Sequence, residues 1–285
     1  MSKHIKFEIL KCANCGNTKL IQNIDYIQCS KCKTIYNTIK NKILMSYLIS
    51  EDIVDSLDKF KYLLKRYYKL YQLLVTIISP VYVGSELKKF IKKYVQKDEN
   101  FISVNLGSGN SNISSYVSNI DIFAYDNVDM TCDIGNIPIK DNSVDVIINQ
   151  AVLEHVPDPQ KVVSEIHRIL KPGGVVYCAI PFIQGFHASP YDFTRYTFEG
   201  MKLLFKDFEM IELKPVGGPT SGFLWVLQEW LAILFSFGFK PLHSIFFLIF
   251  MILTFPLKYL DIILLHFHGA KNISSAFLFI GKKVE

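Results

Sequence analysis

Four short runs rich in β-branched and aromatic residues alternate with helical patterns between residues 98 and 181, and this alternation restricts the fold most strongly. The runs read FISVNLG, NIDIFAYD, VDVIINQ and GGVVYCAIP. A helical segment, DPQKVVSEIHRIL, precedes the last run and ends at the stop signal KPGG. Strands that alternate with helices favour a doubly wound α/β fold, in which a parallel sheet binds ligands at the carboxyl ends of its strands.

A glycine loop, Gly107-Ser108-Gly109, ends the first run. Glycines at the end of a strand allow the backbone to approach a ligand closely. The loop departs from the G-x-G-x-x-G motif because Asn112 stands at its last position, which disfavours a nicotinamide or flavin dinucleotide. The sequence also lacks a Gly-Lys-Ser/Thr phosphate loop, which argues against an NTPase.

Further landmarks follow the glycine loop in a characteristic order. Asp126 ends the second run, where a carboxylate can accept hydrogen bonds from ribose hydroxyls, and Asp133 lies in CDIGNIPIKDNSVDVI. The block NQAVLEHVPDPQKVVSEIHRILKPGG comes next. From Val104 to Pro181 the chain closely resembles the class I S-adenosylmethionine-dependent methyltransferases of the small-molecule type, the group related to quinone-biosynthesis methyltransferases. This resemblance implies a seven-stranded, Rossmann-like sheet and S-adenosylmethionine as the methyl donor.

The resemblance also implies the residues that contact the cofactor. The glycine loop would line the methionine and ribose part of the cofactor. Asp126 would bind the ribose hydroxyls. Asp133 and the backbone of Ile134 would hold the adenine edge. An asparagine would face the cofactor from the fourth strand. The matching positions are Gly107, Ser108, Gly109, Asp126, Asp133, Ile134 and Asn149.

Two positions depart from the family pattern. Asn105 stands where the family has an acid, and Ser111 stands where it has a third glycine. A neutral amide still forms hydrogen bonds, so we expect cofactor binding. A protein that keeps the fold and serves as a non-catalytic binding module is the alternative.

The segment 180–197, IPFIQGFHASPYDFTRYT, would follow the fifth strand of such a fold and cover the edge beside the methyl group. Its pattern PFxxxxHxxPxDFxRYT resembles a subgroup of these enzymes associated with surface-glycan and lipid-linked sugar pathways. His187 could take the proton of an acceptor hydroxyl, Asp192 could orient that imidazole, and Arg195 could hold an anionic group. In the alternative interpretation, Asp192 and Arg195 pair with each other and staple the loop.

Glu154 and His155, just after the fourth strand, form a second candidate pair. Their position at the start of a helical segment is an equally good explanation for their residue types. Methyl transfer itself depends mainly on alignment and on the exclusion of water, so a base is needed only to remove the acceptor's proton. O-methylation of a small-molecule, glycan or lipid-linked acceptor is therefore the predicted reaction.

Four cysteines near the N-terminus form two knuckles, Cys12-x2-Cys15 and Cys29-x2-Cys32. Each knuckle places two sulfurs on one side of a tight turn, and two knuckles close a tetrahedron around Zn²⁺. Because so short a segment cannot build its own core, the metal would supply folding free energy. Such a site would be structural, and a disulfide pair or chance spacing are the alternatives.

The segment LKCANCGNTKLIQNIDYIQCSKCKTIYNTIKNKILM resembles the small zinc-ribbon proteins that serve as activator subunits of tRNA and protein methyltransferases. The second knuckle is followed by Thr34-Ile35-Tyr36, as in that pattern, whereas Asn41-Lys42-Ile43 replaces the usual Gly-Ile-Pro. The ribbon makes tRNA or protein methylation the alternative reaction.

Residues 51–97 carry a helical pattern that is interrupted at Pro80. Lysines lie among aromatic residues along this segment. Such helices can lie on anionic lipid or RNA phosphate, or can simply present a solvated face. The net charge of +5 is smaller than is typical of proteins that bind nucleic acids, so nucleic acid is the less favoured partner.

Residues 222–271 are mostly apolar and separate the predicted sixth strand, FEMIELKPVGGP, from the seventh, SSAFLFIGKK. Residues 244–265 would span about 33 Å as a helix, enough for a bilayer. Pro256 interrupts that stretch, and Lys258 and Asp261 would each cost about 2.5–3.5 kcal/mol at a membrane centre. Because both ends must return to one sheet, we expect a monotopic helical hairpin at the interface. A homodimer interface and an enlarged core are the alternatives.

The sequence thus predicts four parts: a zinc ribbon (1–46), a helical connector (47–97), a methyltransferase domain (98–221 with 272–285) and an apolar hairpin (222–271). The N-terminus lacks the apolar core of a signal peptide, so the six cysteines are assigned to a reducing compartment. We therefore expect a protein at the cytoplasmic face of a membrane.

Overall fold

The computed structural model describes residues 5–39, 42–46, 77–82, 84–187 and 190–284, and the strands within them form one mixed sheet of eleven. In chain order they are β1 Leu20–Gln22, β2 Tyr26–Cys29, β3 Ile35–Ile39, β4 Lys42–Leu44, β5 Ser103–Leu106, β6 Ser118–Asp121, β7 Met130–Thr131, β8 Val144–Gln150, β9 Leu170–Pro181, β10 Glu209–Val216 and β11 Ala276–Lys282. Their order across the sheet is β1-β2-β3-β4-β7-β6-β5-β8-β9-β11-β10.

The α-helices of the described residues flank the sheet or form the apolar insertion. They are α1 Glu86–Tyr94, α2 Pro159–Ile169, α3 Phe198–Leu204, α4 Pro219–Ser236, α5 Lys240–Thr254 and α6 Asp261–Leu264. Most of the predicted connector, residues 47–76, lies outside the described residues.

The centre of the sheet is parallel from β4 through β9, while β11 runs antiparallel to both β9 and β10. The predicted α/β sheet with parallel strands is confirmed. Eleven strands are present instead of the expected seven, because four N-terminal strands extend the sheet beyond β7.

Helices cover both faces of this sheet. On one face, Phe90 of α1 packs against Tyr177 of β9 with ring centroids 5.0 Å apart. On the other face, α2 buries Val162, Ile166 and Ile169 in the main core. Strands that are buried on both faces have mostly apolar sequences, which explains the composition of the runs VDVIINQ and GGVVYCAIP, now seen in β8 and β9.

The N-terminal segment joins the sheet through β4. Ile43 pairs with Met130 and Leu44 pairs with Thr131 in parallel register. An isolated bridge between Leu10 and Ile139 adds a second attachment. The cysteine-bearing segment therefore shares one core with the parallel strands, and its own strands cover the main-chain groups that would otherwise be exposed along β7.

The apolar insertion leaves the sheet between its two antiparallel strands. The backbone N–H of Ser275 donates to the carbonyl of Gly217 at 2.7 Å, so the two ends of the insertion lie side by side. Between them, α4 and α5 pack through aromatic contacts such as Phe235 with Phe246, at a centroid distance of 5.7 Å. The insertion begins at Pro219, three residues before the predicted boundary.

Two charged residues of the insertion are buried. Asp261 is fully buried and accepts hydrogen bonds from the backbone N–H groups of Thr220 and Ser221, each at 2.8 Å, and from the Ser221 hydroxyl at 2.6 Å. Lys258 is 1% exposed and donates to the carbonyl of Ser79 at 2.8 Å. The expected cost of placing these charges in lipid therefore does not apply, because both are bonded within the protein.

Asp261 caps the first turn of α4, which supplies a test of the insertion's architecture. We expect Asp261→Ala to lower the free energy of unfolding by about 2–3 kcal/mol, because it leaves two buried N–H groups and one hydroxyl without an acceptor. Thermal and denaturant unfolding in mild detergent measure this change. The matched variant Asp25→Ala, at an exposed turn, should leave stability unaltered. Equal stability of the two variants would contradict the capping role.

Candidate functional site

The glycine loop that follows β5 needs two glycines. Gly107 has φ +71° and Gly109 has φ +53°, in the region that side chains disfavour. A Cβ on Gly107 would also lie 2.5 Å from the side chain of Val152. The N–H groups of Gly107 and Ser108 donate to the carbonyl of Ile120 at 2.8 and 3.1 Å, which ties the loop to β6.

The second strand ends at Asp121, five residues before the predicted Asp126. Asp126 is exposed in a turn beyond the strand. Asp121 is 6% exposed, and its carboxylate accepts the N–H of Gly109 at 2.7 Å and that of Phe123 at 2.9 Å. The structure thus corrects the placement of the aspartate that ends the second strand. The run NIDIFAYD has no residue that marks the end of β6. The end is visible only in the structure, where the pairing of β6 with β5 stops.

The other predicted cofactor residues follow the neighbouring strands. Asp133 lies after β7 and accepts the N–H of Gly135 at 2.8 Å, while Ile134 is buried. Asn149 is fully buried near the end of β8 and donates to the carbonyl of Leu106 at 3.2 Å. Parallel strands bring these positions to the same edge of the sheet as the glycine loop.

The departures from the family pattern have local explanations. Asn105 faces Asn119 across the β5–β6 pair, and its amide donates to the Asn119 side-chain oxygen at 3.2 Å. Ser111 donates its hydroxyl to the carbonyl of Ser108 at 2.6 Å and so closes the glycine loop. Asn105 thus links β5 to β6 and Ser111 supports the loop, and neither residue carries a charge.

The loop after β9 is stapled by an ion pair. Arg195 donates to both carboxylate oxygens of Asp192 and also to the carbonyl of Gly185 at 3.1 Å. Because of the Arg195 guanidinium, the pKa of Asp192 falls to about 2. Asp192 Oδ2 accepts the N–H of His187 at 2.8 Å but stands 4.0 Å from the nearest ring nitrogen. Of the two interpretations of Asp192 and Arg195, the contacts therefore favour the staple over orientation of the imidazole or capture of an anion.

The His187 ring meets the second candidate pair. Its Nε2 lies 3.9 Å from Oε1 of Glu154, and the Nε2 of His155 lies 3.8 Å from the same oxygen. The Glu154 carboxylate holds the pKa of His187 above its usual range. Trp225 of α4 covers the other side of the ring at a centroid distance of 5.4 Å. Two features that the sequence placed about thirty residues apart thus form one cluster at the carboxyl ends of β8 and β9.

The four N-terminal cysteine sulfurs also converge. They lie within 4.8 Å of one another, with 3.5 Å between Cys12 and Cys32 and 3.6 Å between Cys15 and Cys29. A tetrahedral zinc with Zn–S bonds of about 2.3 Å separates its sulfurs by about 3.8 Å, so the arrangement fits the ion. All four are free thiols, which argues against the disulfide alternative.

Two of the sulfurs have a hydroxyl group close by. The Thr34 hydroxyl lies 3.1 Å from the Cys32 sulfur, and its hydrogen bond lowers the pKa of that thiol to about 5. Tyr36 places its hydroxyl 3.0 Å from the Cys12 sulfur. The Thr34 contact favours the deprotonated form of Cys32, which is the form that binds metal.

The lysines of α1 lie on its solvent side. Lys88, Lys89, Lys92 and Lys93 are exposed, and Lys89 pairs with Glu86 at 2.8 Å. This exposure fits both interpretations of the helix, a solvated face and a face that contacts anionic lipid or RNA. The basic residues at 59–69 lie outside the described residues.

The central part of the chain resembles a known protein family. Residues 94–178 match the family model described as "Methyltransferase domain". Over these residues the chain is similar to methyltransferase domains. The match runs from the end of α1 to β9 and so includes the glycine loop, Asp121, Asn149 and Glu154.

Curated relatives match short stretches of the chain. A "Probable S-adenosylmethionine-dependent methyltransferase" of Mycolicibacterium smegmatis is 44% identical over 48 residues, which are 17% of this chain and 19% of that protein. A demethylmenaquinone methyltransferase of Geobacillus stearothermophilus is 36% identical over 77 residues, 26% of this chain and 33% of that protein. The chain therefore spans a third or less of the length of these relatives.

Among solved structures, a putative sarcosine dimethylglycine methyltransferase from Galdieria sulphuraria has a TM-score of 0.48 and 15% identity, covering 80% of this chain and 98% of that one. Because the sequence identity and the TM-score are both low, no residue role is taken from this structure.

Proposed function

We propose that this protein is an S-adenosylmethionine-dependent methyltransferase. The observation that carries the proposal is the edge at which the glycine loop, Asp121 and Asn149 meet within the methyltransferase domain. A second group of polar residues, Glu154, His155 and His187, follows the next two strands at the same edge. One group offers a cofactor site and the other offers acid–base chemistry beside it.

The cofactor would be held by main-chain and carboxylate groups. Gly107 and Gly109 leave room for its methionine and ribose part, and Asp121, already bonded to the loop, would accept the ribose hydroxyls. Asp133 and Ile134 would face the adenine edge. When bound, the cofactor supplies a methyl group activated by the positively charged sulfur.

The chain's own residues then position the acceptor and manage its proton. His187 donates Nδ1–H to the carbonyl of Gly185 at 2.9 Å, so Nε2 is the ring atom left to act on an acceptor. Trp225 and the stapled loop restrict water around that ring. We propose a hydroxyl acceptor on a small-molecule, glycan or lipid-linked substrate, since a hydroxyl needs such proton removal.

A tRNA or protein acceptor is the second candidate. The observation that favours it is the N-terminal cysteine segment, which resembles methyltransferase activator subunits and extends the sheet through β4. Strong, salt-dependent binding of RNA would support this acceptor class. Failure to bind the cofactor would instead favour a non-catalytic module.

The two aspartates after β5 provide a matched test of cofactor binding. We expect the full chain to bind S-adenosylmethionine in calorimetry and Asp121→Ala to weaken binding at least tenfold, about 1.4 kcal/mol or more. Asp126→Ala should bind as the wild type does, since that residue is exposed beyond the strand.

Asp121→Asn keeps the shape of the side chain and one of its two acceptor oxygens, so it removes less of the support of the loop than Asp121→Ala does. Thermal unfolding of each variant shows whether the loop is intact. Absence of binding to the wild type, or a larger effect from Asp126→Ala, would overturn this assignment.

We further propose that Cys12, Cys15, Cys29 and Cys32 bind a structural Zn²⁺. We expect Cys29→Ser to lose the sulfur-bound metal, because three thiolates bind it more weakly, and to lower the melting temperature. Metal analysis and the thiolate charge-transfer absorption of the cobalt-substituted protein measure the loss. Cys132→Ala, at a buried cysteine outside the cluster, should keep the metal. Wild-type protein that lacks this absorption would contradict the zinc site.

The insertion is proposed to dock on the membrane interface at the cytoplasmic face. One helical stretch among the described residues, Lys240–Leu264, is long and apolar enough to cross a membrane, with mean hydropathy 2.0 and only 11% of its window buried. Large apolar side chains cover the outer surface of the insertion: Phe223, Val226, Trp230, Ile233, Leu234, Phe237, Phe239, Ile245, Leu248, Ile252 and Leu253. An exposed apolar surface of this extent marks an interaction site.

The tip between α4 and α5 tests this docking. Phe237 is 81% exposed and Phe239 is 68% exposed. Aspartate suits both backbones, because Phe237 has φ +48° and Phe239 is the N-cap of α5. We expect Phe237→Asp with Phe239→Asp to weaken binding to phosphatidylcholine vesicles tenfold or more in flotation, since charge partitions poorly into apolar surroundings.

Ile24→Asp is the control, because Ile24 is 96% exposed in the distant β1–β2 turn. Wild-type protein that stays monomeric in water and does not bind vesicles would favour the interpretation of the insertion as an enlarged core. A soluble dimer that the double variant converts to monomer would favour the interface between copies.

A further inference from the structure

The Glu154 carboxylate is buried without a hydrogen-bond donor. Its side chain is 0% exposed, and neither oxygen has a hydrogen-bond partner. Buried carboxylates are normally paired or hydrogen-bonded, because an isolated buried charge is very unfavourable. The backbone carbonyl of Glu154 accepts the N–H of Phe193 at 2.7 Å, so the stapled loop holds this residue in place. A positive group between the carboxylate and its neighbours would remove the penalty.

The two imidazoles beside Glu154 are oriented by backbone carbonyls. His155 Nδ1 lies 2.6 Å from the carbonyl of Tyr191, and His187 Nδ1 lies 2.9 Å from the carbonyl of Gly185. A carbonyl only accepts, so each Nδ1 carries a proton, and the neutral form of each ring presents the lone pair of Nε2. Arg195 Nη2 stands farther from His187 Nδ1, at 3.3 Å, and donates to the same carbonyl. Metal-bound histidines are typically fixed in this way.

Three electron-pair donors therefore face one another: Oε1 of Glu154 and Nε2 of His155 and His187. All three lie within 4.8 Å of one another, with 3.8 and 3.9 Å from the oxygen to the two nitrogens. We propose that Glu154, His155 and His187 bind a divalent first-row transition-metal ion. Ligand atoms about 2.0–2.2 Å from a tetrahedral ion lie about 3.3–3.6 Å apart, so binding requires a contraction of less than about 1.5 Å.

The donor set selects the class of metal. Two imidazoles and one carboxylate suit zinc, iron, cobalt or nickel in the divalent state, whereas magnesium and calcium prefer oxygen ligands. Three protein ligands leave further coordination positions open. The site thus differs in kind from the four-sulfur cluster, which is closed.

The location of the ion gives it a role. Glu154 and His155 follow β8 and His187 follows β9, at the edge where the cofactor is proposed to bind. In a role that rests on the proposed methyltransferase function, the ion would bind the acceptor's oxygen and lower its pKa, so that the proton leaves to solvent before methyl transfer. With the ion bound, His187 is its ligand, and activation of the acceptor by the ion takes the place of the proton removal by His187 that is proposed above for the metal-free site.

Cobalt provides the test, because nitrogen and oxygen ligands give Co²⁺ weak visible bands without the thiolate charge-transfer absorption. Full-length protein with zinc already in the cysteine cluster is titrated with CoCl₂ in calorimetry and visible spectroscopy. We expect one Co²⁺ per chain without charge-transfer absorption. Glu154→Gln and His187→Gln should each weaken its binding at least tenfold, while His266→Asn, at an exposed histidine outside the cluster, should leave it unaltered.

Unfolding measurements separate metal binding from a merely structural ion pair. Cobalt should raise the melting temperature of the wild type but not of Glu154→Gln, and before cobalt is added the variant should be at least as stable as the wild type. A variant that is less stable without cobalt would indicate a protonated histidine paired with Glu154 and would overturn the proposal. Equal cobalt binding by wild type and variant, or none by either, would also overturn it.

Cofactor binding is measured separately on the same preparations. Cobalt binding without S-adenosylmethionine binding would keep the metal site and reject the methyltransferase proposal. The opposite result would reject the metal site alone.

Discussion

The parallel pairing of β8 with β5 on one side and β9 on the other is the constraint on which the functional edge depends. Asn105 of β5 lies opposite Ile148 of β8, and Ile148 lies opposite Tyr177 of β9. Because the three strands run in one direction, their carboxyl ends deliver the glycine loop, the turn at Glu154 and the stapled loop to one place. A slip of one residue would turn the side chains at these ends to the opposite face. The buried pairing of main-chain groups makes that slip unfavourable.

The N-terminal cysteine segment is built into the same sheet. β7 has only two residues, and its outer side is paired with β4. Further bonds link this segment to the loop before β8, such as that from the N–H of Lys11 to the carbonyl of Pro138 at 3.0 Å. A metal that holds the cysteine turns together would therefore also stabilise the edge of the sheet that carries Asp133.

The apolar insertion is linked to the site as well as to the sheet. Its buried charges cap and anchor α4, which leaves apolar side chains for the outside. On its inner side Trp225 contacts His187, and a Cβ on Gly185 would lie 2.6 Å from the Trp225 indole nitrogen. A change in the position of α4 would therefore reach the His187 ring. This contact is a physical route from the proposed docking surface to the proposed reaction centre.

The sequence by itself determined the α/β class, the positions of the glycine loop and cysteine knuckles, and the apolar insertion before the last strand, because strand periodicity, φ-positive glycines and ligand spacing are local properties. Only the tertiary structure decided that β6 ends at Asp121 and that Asp192 pairs with Arg195. Only the tertiary structure joined Glu154 and His155 to His187, and it turned Asp261 inward. Each of these depends on strand register or on contacts between residues far apart in the chain. Such contacts are set by packing and by the pairing of buried charges, which no short stretch of sequence specifies.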